Sequence, residues 1–184
     1  MELLSLLPIG INFYWVNSMN GNNLTDILKE AISIEIYGRE YYSIFSELVE
    51  EENAKSLLRG LARDEGEHRQ YLEKEYKKLT GKPVDIKILD KENREKARNI
   101  FPESLEPLGI EETKDVLKLG IRTEVRSIEL YSNSAKRIDA GGSKDLFLSL
   151  AGFEKGHKKL LEDALYYFEQ GGSWYGYSPP TLEG

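Results

Sequence analysis

Each of the two histidines in this chain, His68 and His157, stands three residues after a glutamate, and the pairs Glu65–His68 and Glu154–His157 are 89 residues apart. The same offset relates Glu35 to Glu124, each 30 residues ahead of the glutamate of its pair. Carboxylate oxygens and imidazole nitrogens at matched spacings form the donor set of a dinuclear metal site. Residues i and i+3 share one face of an α-helix, so each Glu-x-x-His unit projects a carboxylate and an imidazole together. Glu65 and Glu154 can each bridge two ions while His68 and His157 cap one apiece. Glu35 and Glu124 then supply one terminal carboxylate per ion. Four carboxylates offset two divalent cations almost completely. A mixed oxygen and nitrogen shell with open positions suits iron or manganese, with zinc as an adventitious occupant.

The elements that must position these residues are helices. Thr25 and Asp26 can cap a helix running to about Val49, with Ile27, Leu28, Ile32, Ile34, Ile44 and Phe45 among its apolar positions. A second helix is predicted from about Asn53 to Leu79, stopped by Thr80-Gly81-Lys82-Pro83. Thr113-Lys114-Asp115 opens a third, which ends near Gly141-Gly142, and Ser143 or Lys144 starts a fourth that reaches Gln170. Aligned without a gap, residues 26–73 and 115–162 share 16 identities in 48 positions. Each half is therefore a helical hairpin, and two hairpins bury each other's apolar stripes. The predicted fold is all-α: a four-helix bundle of two repeated hairpins over residues 23–170, joined by a long crossover from Gly81 to Glu112. A short helix around Lys91 to Asn99 is expected within that crossover. Residues 171–184 read as an irregular aromatic tail.

A chain of 184 residues with 40% hydrophobic and 31% charged composition is expected to form one soluble globular domain. Its net charge of −7 argues against nucleic acid as a partner, because phosphate binding needs a concentrated basic face. With no cysteine there is no disulfide, zinc knuckle or thiolate-bound iron. Residues 1–22 form an apolar N-terminal extension. Pro8, Gly10 and Asn12 interrupt it, and it falls short of the roughly 20 apolar residues that span a bilayer. Glu2 is the only early charge, so the basic leader of a secretory signal is missing. The expectation is a cytoplasmic protein with no membrane contact. For the extension two readings stand: a segment packed on the domain or on a second subunit, or a start at Met19.

Tyr42 and Tyr131 lie seven residues after Glu35 and Glu124, two turns along and on the same inward face. A buried phenol needs a partner for its hydroxyl, and a ligand carboxylate on a facing helix is one; another core acceptor is the alternative. Glu40 and Glu129 also repeat but sit about 140° round from the ligand face, which marks them as solvated or interhelical pairs. Tyr37, Tyr41, Tyr71, Tyr76, Tyr166 and Tyr167 read as packing residues. Asp64, next to Glu65, can orient an imidazole, but an exposed aspartate is the preferred reading.

The six candidate ligands in this order, with their repeat spacing, resemble the ferritin-like superfamily, and most of all the di-iron domain of rubrerythrins. That family shows glutamate on the first and third helices and Glu-x-x-His on the second and fourth, with tyrosines bonded to ligand glutamates. The resemblance covers roughly residues 24–170. It implies two metal ions, iron above all, held by Glu35, Glu65, His68, Glu124, Glu154 and His157, with Tyr42 and Tyr131 behind them. The chain departs from the family pattern twice. It has no cysteine-rich rubredoxin domain, so electrons are expected from a separate donor protein. The family's additional glutamate three residues after the third-helix ligand is Ser127 here, and the repeat mate of that position is Gly38.

The resemblance implies a non-haem di-iron or di-manganese oxidoreductase that reduces peroxide or dioxygen in oxidative-stress defence. The alternative within the same superfamily is a ferroxidase or iron-handling protein. Storage requires a large shell, whereas the long crossover and apolar extension favour a homodimer. A bundle in which glutamate and histidine merely pair is disfavoured, because burying six ionisable groups without a cation costs several kcal/mol each.

Overall fold

The computed structural model describes residues 23–87, 110–139 and 141–170. The N-terminal extension, the proposed crossover helix at 91–99 and the aromatic tail lie outside the described residues. Among those described, four helices occur: α1 (Leu24–Leu48), α2 (Glu52–Thr80), α3 (Ile110–Arg137) and α4 (Gly142–Glu169).

Local chemistry sets the helix ends. The side chain of Asn23 accepts a hydrogen bond from the Thr25 amide at 3.1 Å, so the cap lies ahead of the Thr25-Asp26 pair expected to provide it. Glu51 caps α2 by accepting from the Ala54 amide at 2.6 Å. Gly81 ends α2 with φ 72°, the left-handed conformation that glycine adopts without strain. The α3–α4 turn passes through Gly141 at φ 147°, again a backbone that other residues rarely adopt. Helix α3 begins at Ile110, about a turn before the Thr113 start expected from sequence.

Helices α1 and α2 pair along their lengths, as do α3 and α4; between hairpins, α1 meets α3 and α2 meets α4. This is the expected bundle of two hairpins. Its core is split in two. Tyr41, Phe45, Leu57, Leu61, Leu117 and Leu161 belong to one apolar cluster. Leu28, Ile32, Leu72, Tyr131, Phe147 and Leu150 belong to the other. On α2, α3 and α4 the predicted ligands fall between the residues that feed these two clusters, and on α1 Glu35 lies at the inner edge of the second, so a polar belt crosses the middle of the bundle. No helix among the described residues is long and apolar enough to cross a membrane.

Candidate metal centre

Glu35 on α1, Glu65 and His68 on α2, Glu124 on α3, and Glu154 and His157 on α4 are all buried and converge in this belt. They form two overlapping groups whose donor atoms lie within 4.8 Å of one another: Glu35, Glu65, His68 and Glu154, and Glu65, Glu124, Glu154 and His157. Glu65 and Glu154 belong to both. Their two oxygens are divided between the halves. Glu65 Oε2 is 3.1 Å from His68 Nδ1, and Oε1 is 3.6 Å from His157 Nδ1. Glu154 Oε1 is 3.2 Å from His68 Nδ1, and Oε2 is 3.1 Å from His157 Nδ1. Glu35 Oε2 completes the His68 side at 3.6 Å from the same nitrogen. The imidazoles stack with ring centroids 5.4 Å apart.

Burial acts on every group in the belt, and the neighbours decide the outcome. Burial and the nearby Glu65 push Glu35 well above the usual carboxylate range, and burial with Glu154 and Glu65 does the same to Glu124. Burial also works to raise Glu65 and Glu154, but the two imidazoles beside them outweigh it and hold them low. Burial alone would depress both histidines. The carboxylates around them reverse this and hold His68 and His157 above the usual imidazole range.

Protonated imidazoles thus supply positive charge to the belt when no ion does. They do so imperfectly. A ring nitrogen carries one proton, yet three carboxylates stand within 3.6 Å of His68 Nδ1. Glu154 Oε1 makes no hydrogen bond although fully buried. A cation satisfies several oxygens at once where a proton satisfies one. The donor set, four hard oxygen ligands and two borderline nitrogens, therefore fits two divalent first-row ions.

Both predicted tyrosine contacts are present. Tyr42 on α1 donates its hydroxyl to Glu124 Oε1 on α3, and Tyr131 on α3 donates to Glu35 Oε1 on α1. Burial, then the adjoining carboxylates, raise both phenols well above their usual range, so each keeps its proton to donate. Tyr42 continues into a row of rings, with Tyr41 edge-on at 5.1 Å and Tyr37 stacked on Tyr41 at 6.3 Å. Tyr41 itself donates to the Val116 carbonyl at 3.0 Å. Ser127 and Gly38 are buried, and a Cβ on Gly38 would lie 3.4 Å from Glu65 Cγ.

Two readings from sequence need correction. Asp64 is not an exposed aspartate: its side chain is 14% exposed, and Oδ2 lies 3.4 Å from His157 Nε2. Tyr71, Tyr166 and Tyr167 are 49%, 59% and 38% exposed and are not core packing residues, whereas Tyr41 is fully buried. Phe153, 5.1 Å from the His68 ring, was not singled out by its sequence position. The repeat carried the signal for it, since Phe153 is the mate of Asp64 at the 89-residue offset. Glu40 and Glu129 stay outside both ligand groups, as their position on the helix requires.

Residues 26–108 match the rubrerythrin family model. That stretch contains almost all of the first hairpin, and the second hairpin repeats its site residues. The structure is similar to that of a hypothetical protein from Pyrococcus furiosus, with a TM-score of 0.67 and 23% identity over 86% of this chain and 98% of that chain. This likeness shows the fold. No curated protein matches the chain.

Proposed function

Starting from a ferritin-like bundle in which residues 26–108 match the rubrerythrin family, we propose that the chain is a non-haem dinuclear oxidoreductase that reduces peroxide or dioxygen. Iron is the metal we assign, with manganese the second choice. One observation carries the reading: Glu65 and Glu154 each turn one oxygen to His68 and the other to His157, so two ligand groups share two carboxylates. Shared carboxylates between adjacent sites are what a pair of ions needs.

In this reading Glu35, Glu65, Glu154 and His68 hold one ion, and Glu65, Glu124, Glu154 and His157 hold the other. Two iron ions held there supply two electrons by passing between the ferrous and ferric states, the number that peroxide consumes in becoming water. The protein's own contribution is positional. Tyr42 and Tyr131 fix the terminal carboxylates Glu124 and Glu35 by hydrogen bonds from the helix opposite. The apolar clusters on either side keep bulk water from the belt. Gly38, which has no side chain and faces Glu65, and the small buried Ser127 mark the side of the site where we place peroxide or dioxygen. With no cysteine in the chain, we assign electron delivery to a separate protein. A cytoplasmic homodimer is part of the same proposal.

Metal analysis of protein from its native host should give about two irons per chain. Stopped-flow mixing of the reduced protein should show faster oxidation by peroxide than by dioxygen. Oxidation by peroxide no faster than by dioxygen would remove the peroxidase reading and leave iron oxidation and transfer. Native mass checks the assembly, with a dimer expected and a large shell pointing to storage.

A further inference from the structure

The two halves of the site come from one repeat, but their outer neighbours differ. The residue before Glu65 is Asp64, and the residue before Glu154 is Phe153. Each reaches the histidine of the other hairpin. Asp64 Oδ2 lies 3.4 Å from His157 Nε2, while the Phe153 ring lies 5.1 Å from the His68 ring at an interplanar angle of 35°. Pseudo-symmetry thus sets a carboxylate against one imidazole and a phenyl ring against the other.

Both histidines turn Nδ1 to the shared carboxylates. Nδ1 is therefore the nitrogen that meets a cation, and the ring's remaining proton sits on Nε2. At His157 that proton faces an anion, whose other oxygen is 3.4 Å from the Arg63 guanidinium. A carboxylate behind a ligating imidazole fixes its tautomer and ring orientation and strengthens it as a donor. The separation of 3.4 Å is long for a hydrogen bond, and His157 Nε2 makes none. Phe153 offers His68 ring contact and no acceptor.

We propose that Asp64 is a positioning residue that makes the two metal positions unequal, the His157 position binding more tightly and filling first. This rests on the dinuclear reading above. Cobalt(II) titrated into the metal-free full chain, followed by visible absorption and calorimetry, should resolve two steps, the first about tenfold or more tighter. His157→Ala should remove the tight step and His68→Ala the weak one. Asp64→Ala should weaken the first step by about ten- to a hundredfold and leave the second in place. Asp64→Asn, which keeps an acceptor oxygen without the charge, should recover part of that loss. Phe153→Asp gives His68 the same neighbour and should draw the two steps together. In the zinc-loaded protein a downfield Nε2–H resonance from His157 should be present and should vanish in Asp64→Ala. Two equal steps, or an unchanged first step in Asp64→Ala with native helicity, would overturn the inequality alone. No cobalt bound at all would overturn the metal reading with it.

Discussion

The hydroxyl of Tyr42 on α1 is bonded to the carboxylate of Glu124 on α3, and the repeat returns the contact from Tyr131 to Glu35. Each tyrosine follows a ligand on its own helix by two turns and supports the ligand on the other. The reciprocal arrangement ties the two hairpins at the level of the site. Removing either hydroxyl leaves a buried carboxylate oxygen short of a donor. Tyr42→Phe and Tyr131→Phe should each destabilise the metal-free protein by about 1–3 kcal/mol. Thermal unfolding should register this as a fall of roughly 2–4 °C per kcal/mol.

The sharing of oxygens by Glu65 ranks the ligand substitutions. Glu65→Ala should lose both ions, since that side chain serves both groups. Glu35→Ala should lose chiefly the ion on the His68 side, and Glu40→Ala neither. Metal content of the purified variants checks the order. Equal loss from Glu65→Ala and Glu40→Ala would mean that the inward face has been misassigned.

Protonation couples the site to pH. His68 and His157 are held above their ordinary 6.5 in the metal-free fold, so the stability they add is full below about pH 6.5 and is lost as pH rises through the folded values. Glu35 and Glu124, raised above 4.5, act in the same direction, because the folded state keeps protons that the unfolded chain has released. Glu65 and Glu154 are lowered and act oppositely, losing their contribution as pH falls below the ordinary carboxylate value. Urea denaturation of the metal-free protein should therefore give lower stability at about pH 8 than at about pH 6. Metal affinity should rise over the same interval, with protons released on binding. A metal affinity independent of pH would contradict the protonation scheme.

Gly38 tests the space beside the ligands. A methyl group there meets Glu65 Cγ at 3.4 Å, an ordinary contact. Gly38→Ala should keep both ions and gain up to about 1 kcal/mol from helix propensity. Gly38→Leu should displace Glu65, cost about 1–3 kcal/mol by overpacking, and lower metal content. Chemical denaturation and metal analysis of the two variants together separate crowding of the ligand from general destabilisation.

The ligands were legible in the sequence because a helical Glu-x-x-His unit has fixed geometry and the repeat supplied every position twice. Helix existence followed from the same periodicity, while boundaries slipped where the cap chemistry was local. Asn23 caps α1 from before the Thr25-Asp26 pair, and α3 starts at Ile110. Asp64 was assigned to solvent for a different reason. Its partner, His157, is on the other hairpin, and nothing in the α2 sequence reports how closely α4 approaches. The tyrosines divide on the same ground: Tyr41 finds the Val116 carbonyl across the bundle, whereas Tyr166 stays 59% exposed two residues from the buried Phe168.

The unequal closeness of the helices has a dynamic consequence. Backbones run close along each hairpin and meet only locally between hairpins, so the seam between the hairpins is held by side chains, in the two apolar clusters and in the belt between them. Ions gripped by Glu65 from one side and Glu154 from the other would rivet that seam. Amides on the inner faces of α1 and α3 should then exchange more slowly in the loaded chain than in the metal-free one.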